Sequence, residues 1–96
     1  MARVRIMYWK EIPYGVRAQD DDGQVTRQLP AEFQESIDTA AMLSGETSAE
    51  DYQARFRWGP VEDRPGAAAE AADAAVVALI EAYPAARLEA LARGEG

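Results

Sequence analysis

Arg5, Met7 and Trp9 alternate along the run Ala2-Arg3-Val4-Arg5-Ile6-Met7-Tyr8-Trp9-Lys10. In a strand, alternate residues share a face. This run therefore separates Val4, Ile6 and Tyr8, an ordinary core face, from a face that mixes cations with a thioether and a large aromatic. Arg17 or Arg27, further on, is placed to join the second set, and Arg17 is taken into the candidate site. Such a set has two chemical uses. Tryptophan and arginine often dominate binding energy at protein interfaces. Cations beside an aromatic also grip nucleic acid or another anion. The expected site is a partner-binding surface made of Arg5, Met7, Trp9 and Arg17. A helix laid across that face would instead make Met7 and Trp9 part of a core.

Other residue patterns carry less. The chain has no histidine and no cysteine. It therefore has no imidazole base, no Ser-His pair, no thiolate nucleophile and no His- or Cys-ligated metal. No enzymatic activity of its own, no metal and no cofactor are expected. Lys10 and Glu11 are adjacent, so on a strand end they point apart and do not converge on one substrate. Asp20-Asp21-Asp22-Gly23 lacks the alternating ligand spacing of a calcium loop, and reads as a solvated hairpin turn. Arg55-Phe56-Arg57-Trp58 could stack on bases, but Phe56 and Trp58 are expected to cap the core while the arginines answer the acidic helix before them.

Charge is unevenly distributed. The formal net charge is −7. Residues 1–18 nevertheless carry a net of +3, and residues 31–54 a net of −6. An acidic chain disfavours free polyanions, so nucleic acid is an improbable partner, yet a local basic patch survives. No apolar run is long enough to span a membrane, and the N-terminus lacks a signal-peptide layout. A cytoplasmic location is expected.

The elements that must position the basic face follow from periodicity. Residues 3–10 read as a strand, and Glu11 to Gly15 as a turn punctuated by Pro13 and Gly15. Residues 16–19 and 24–28 read as two further strands joined by the Asp-Gly hairpin. Pro30 suits a first helical position. Phe33, Ile37, Ala40, Ala41 and Ser44 then form one helical face, with Gly45 as its C-cap. Ser48 and Asp51 resemble a helix start, followed by a short helix with Tyr52 and Phe56 four apart, ending near Trp58. Residues 59–66 read as the longest loop. Ala72, Ala75, Val76, Leu79, Ile80 and Tyr83 make the stripe of a third helix that Pro84 interrupts, and residues 85–92 make a fourth.

The predicted fold is α+β: a three-stranded antiparallel sheet followed by three or four helices packed mainly on one face. Residues 1–93 form one domain, with 94–96 as a flexible tail. The predicted core holds Val4, Ile6, Tyr8, Val16, Leu29, Phe33, Ile37, Ala41, Tyr52, Phe56, Val76, Leu79 and Ile80.

Three stretches also carry a resemblance: Tyr8-Trp9-Lys10-Glu11-Ile12-Pro13, Gly15-Val16-Arg17-Ala18, and Arg27 to Met42. Their Tyr-Trp, Ile-Pro, Leu-Pro-x-x-Phe and Ile-Asp-x-Ala-Ala-Met elements resemble the small bacterial virulence factor domain family. The resemblance implies an accessory module, joined in longer relatives to an iron–sulfur-scaffold-like domain and helical repeats. It implies no active-site residues, and the family's name does not establish a role in disease. With the residue reading, it leads to a non-catalytic accessory or interaction module that docks on a larger protein through the sheet face around Trp9. A second copy of the chain is another candidate partner. The alternative is a binder of nucleic acid or another anion through Arg5, Trp9 and Arg17.

Overall fold

Strand alternation and a tight Asp-Gly hairpin build the N-terminal third of the chain. The computed structural model describes residues 1–95. β1 (Ala2–Trp9), β2 (Ile12–Asp20) and β3 (Gly23–Gln28) form an antiparallel meander. They are followed by α1 (Ala31–Ser44), α2 (Ala49–Ala54), β4 (Phe56–Trp58), β5 (Glu62–Arg64), α3 (Ala68–Ala82) and α4 (Ala85–Ala92). The fold is α+β.

The sheet has five strands rather than three. β4 pairs with Met7, Tyr8 and Trp9, while β5 pairs with Ala2, Arg3 and Val4. Both lie along the edge of β1 that β2 leaves free, and the path runs β3-β2-β1-β4. Each added strand is three residues long, too short to display a period of two. The four-residue spacing of Tyr52 and Phe56 imitates a helix. In fact α2 stops at Ala54, and the two rings meet edge to face across the helix–strand junction at 5.4 Å.

The first turn is also shorter than its proline implies. β1 passes into β2 through Lys10 and Glu11 alone, with Lys10 at a positive φ of 53°. Pro13 and Gly15 belong to β2. Met7 faces Gly15 and Tyr8 faces Pro13, which leaves Tyr14 as an extra residue. A bulge of this kind is where a strand tolerates a residue without an N–H. It also changes the phase of β2. Val16 and Ala18 share the side of Ile6 and Val4, whereas Ile12 shares the side of Trp9.

Two buried clusters follow from that phase change. In one, Ala2, Val4, Val16 and Ala18 meet Ala68, Ala71, Ala72, Ala75 and Leu79 of α3. The alanines let the helix lie close to the sheet. In the other, Trp9 and Ile12 meet Phe33, Ile37, Ala40 and Ala41 of α1 and Leu88 and Ala92 of α4. Leu29 and Tyr83 touch both clusters. Because β1 alternates without interruption, the clusters engage opposite sides of that strand, and the helices are not confined to one face.

The predicted core is placed in detail as follows. Val4, Val16, Phe33, Ile37, Ala41 and Leu79 are buried, and Ile6, Tyr8, Leu29, Tyr52, Phe56 and Val76 are half-buried. Ile80 is 43% exposed, because the face that α3 turns toward the sheet is made of Ala68, Ala71, Ala72, Ala75 and Leu79.

Helix ends use ordinary devices. Gly45 adopts the left-handed conformation after α1, and the Ser48 side chain accepts the Asp51 N–H at the start of α2. Pro30 stands just outside α1 rather than at its first position. Asp20 does two jobs. One carboxylate oxygen accepts the N–H groups of Asp22 and Gly23 in the hairpin turn, and the other accepts the Ala68 N–H at the start of α3, at 2.7 Å. These bonds, that from Ala68 foremost, hold its carboxyl below the usual aspartate range. Gly94 and Glu95 fold back on α4 through bonds to Leu91 and Ala90, and Gly96 lies outside the described residues. No helix among the described residues is long and apolar enough to cross a membrane.

Candidate binding face

Trp9 is not on a surface. Its side chain is wholly enclosed, at 0% exposure. Its indole N–H donates to the Tyr52 carbonyl at 2.8 Å, and the two rings lie 5.6 Å apart. Alternation does put Trp9 on the Arg5 and Met7 side of β1, as expected. At the hairpin end, however, α1, α4 and the α2–β4 segment cover that side. Trp9 is therefore removed from the expected binding surface for a packing reason, namely the helices that occupy its end of the strand.

The rest of the expected set stays together. Arg5 and Arg17 are direct cross-strand partners on β1 and β2. Met7 follows on the same side of β1, where its partner on β4 is Trp58. The Trp58 ring lies 5.1 Å from the Arg5 guanidinium and 4.6 Å from that of Arg17. Trp58 thus takes the place assigned to Trp9. The basic-aromatic run at 55–58 contains this residue, but a helical reading hid it. Read as a strand, Phe56 and Trp58 share a side: Phe56 falls opposite Trp9 at the covered end, and Trp58 opposite Met7 at the open end.

The other arginines of that run are occupied. Arg55 pairs with Glu46. Arg57 stacks on Tyr8 at 4.8 Å and donates to the Lys10 carbonyl at 3.1 Å. Glu46 also takes the Lys10 ammonium, so it joins the first turn of the sheet to the segment after α2. Hydrogen bonds from Lys10, then Arg55, hold its carboxyl down at about 2.

The cations divide by partner. Lys10, Arg27, Arg55, Arg57, Arg64 and Arg93 each have a carboxylate within 4 Å. Arg87 donates to the Ala82 carbonyl. Arg3, Arg5 and Arg17 form no ion pair among the described residues, and all three project from one side of the sheet. The Nε atoms of Arg5, Arg17 and Arg64 are buried without a hydrogen-bond partner among the described residues. Two like charges directly opposite each other destabilise a strand pair. The face of the Trp58 ring offsets part of that repulsion, by roughly 0.5–1 kcal/mol per contact.

Two hollows flank this centre and share Arg17. One, of about 240 Å³, is lined by Arg3, Arg5, Arg17, Gln19, Gln24 and Val61. The other, of about 510 Å³, includes Met7, Thr26, Gln28 and Trp58 and reaches Gln34 of α1. No carboxylate lines either hollow. Among the described residues, no group of three or more acidic side chains gathers as a metal site. The arrangement offers guanidinium donors, one indole face and a polar floor. It is suited to holding an anionic or hydrogen-bonding partner by contact.

No curated protein and no solved structure matches the chain. The family described as Virulence factor matches over residues 7–92, a span that includes the hairpin bulge, the Trp58 strand and every helix, and the chain belongs to that family.

Proposed function

We propose that the domain is a non-catalytic docking module that engages a larger protein through the open sheet face centred on Arg5, Arg17 and Trp58. One observation carries this reading. The two arginines oppose each other across the strand pair, share one indole ring, and have no carboxylate partner among the described residues. A module that used these residues only for its own stability would gain by pairing them, as it pairs Lys10 and Arg55 with Glu46. Met7 adds an apolar contact beside them. Trp9, on the same side at the covered end, anchors the end of β1 that carries the face.

The test is a comparison of tagged wild-type and Trp58→Ala protein in pull-downs from source cells, with partners identified by mass spectrometry. At least one protein captured by the wild type should be lost from the variant. Retention of every captured protein by Trp58→Ala would count against this reading. The cytoplasmic setting expected from the sequence belongs to the same proposal, and fractionation of source cells checks it.

A further inference from the structure

We infer that the hollow bounded by Arg3, Arg5 and Arg17 is a carboxylate site, and that the segment the sheet face receives is an extended, acidic stretch of another protein. This rests on the docking reading and names the chemistry of the partner.

Three observations support it. First, charge is concentrated and unanswered here. Arg5 and Arg17 face each other, and with Arg3 they line one hollow without an ion pair among the described residues. Like charges directly opposite each other destabilise a strand pair. A carboxylate relieves that repulsion, and its two oxygens match the fork of a guanidinium. Second, the hollows share Arg17 and together cross β1, β2 and β3. A chain lying along them places acidic side chains at one end and neutral ones over Met7, Thr26 and Gln28.

Third, the surroundings select against other occupants. The hairpin turn Asp20-Asp21-Asp22 follows directly on the Gln19–Gln24 pair, and Asp63 is the cross-strand partner of Arg3. A phosphate backbone crossing the face carries a charge at every step and would meet these carboxylates. A peptide can set neutral residues beside them. A two-fold contact with a second copy would set this arginine cluster against itself.

The test uses the full chain and three probes: a capped peptide of alternating Glu and Ser, the same peptide with Gln for Glu, and hexathymidylate. Binding is followed by NMR of the arginine Nε–H and tryptophan indole N–H signals. The acidic peptide should move the signals of Arg5, Arg17 and Trp58 and leave the indole signal of Trp9 in place. Arg17→Gln should weaken its binding about tenfold or more, while Arg93→Gln, remote on the α4 end, should not. The inference is overturned if hexathymidylate binds more tightly than the acidic peptide, or if the Gln peptide binds equally well. It is also overturned if the arginine signals stay fixed at millimolar acidic peptide. In that last case, loss of a captured partner from Trp58→Ala protein would leave the docking reading standing. Retention of all partners by Trp58→Ala would remove the docking reading itself.

Discussion

Trp58 and Arg17 meet across the strand that separates them. Trp58 sits on β4 and Arg17 on β2, with β1 between, and the indole ring centre is 4.6 Å from the guanidinium carbon. The contact ties together two strands that share no backbone hydrogen bond. It also assigns the chain's two tryptophans to different tasks, one enclosed and one on the open face.

The two should respond differently to truncation. Trp9→Ala removes a wholly enclosed ring and its hydrogen bond to the Tyr52 carbonyl, and should cost about 3–5 kcal/mol. Trp58→Ala removes two cation–π contacts from a half-buried position, and should cost on the order of 1 kcal/mol. Urea unfolding of the two variants checks this. Equal losses would make Trp58 a core residue and deprive the open face of its centre.

Gly59 should resist substitution. Its N–H donates to the Ile6 carbonyl at 2.8 Å. A Cβ there would stand 2.9 Å from the Tyr8 ring and 3.3 Å from the Ile6 carbonyl oxygen. Gly59→Ala should therefore destabilise by about 1–3 kcal/mol and displace the adjacent Trp58. Thermal unfolding measures the first effect. The NMR shift of the Trp58 indole N–H measures the second, and an unchanged shift would contradict it.

Acid should weaken the fold in a defined window. The Glu46 carboxyl is held at about 2, against an ordinary value of 4.5, by Lys10 and Arg55. A carboxyl depressed in the folded state stabilises fully above its unfolded value and loses that contribution as pH falls through the folded one. Stability should thus fall between about pH 4.5 and 2. Asp20, depressed from 3.8 chiefly by the Ala68 N–H, adds to the fall in the same direction. Glu46→Gln should be less stable at neutral pH and should show a shallower acid slope. An identical slope in urea midpoints against pH would show that Glu46 contributes nothing.

Much of this architecture is legible in the residues. Alternation over 3–10, the Asp-Gly turn, the Phe33-Ile37-Ala41 stripe and the Gly45 cap each follow a local rule, and each appears, the strand one residue earlier at Ala2–Trp9. The misplaced parts are set by contacts distant in sequence. β4 and β5 are strands only because β1 has a free edge, and three residues cannot announce that by themselves. Pro13 signals a turn locally, yet a bulge admits it to β2. Alternation groups Arg5 with Met7; of Arg17 and Arg27 on the later strands, Arg17 faces Arg5 and joins them, while Arg27, opposite Val16, lies on the other side. Trp9 was assigned the correct side of the strand, but alternation does not say where along a strand the helices end their cover. Trp58 of β4, rather than Trp9, is the ring that both arginines approach.

On the docking proposal, the open sheet face, and no other surface, meets the partner. Site-specific photo-crosslinking in source cells tests it most directly, with a photoreactive amino acid placed at Gln19 on that face or at Glu81 on the exposed side of α3. A discrete crosslinked protein is expected from position 19 and none from position 81. Crosslinks from position 81 alone, or equal yields of the same product from both, would contradict the docking proposal.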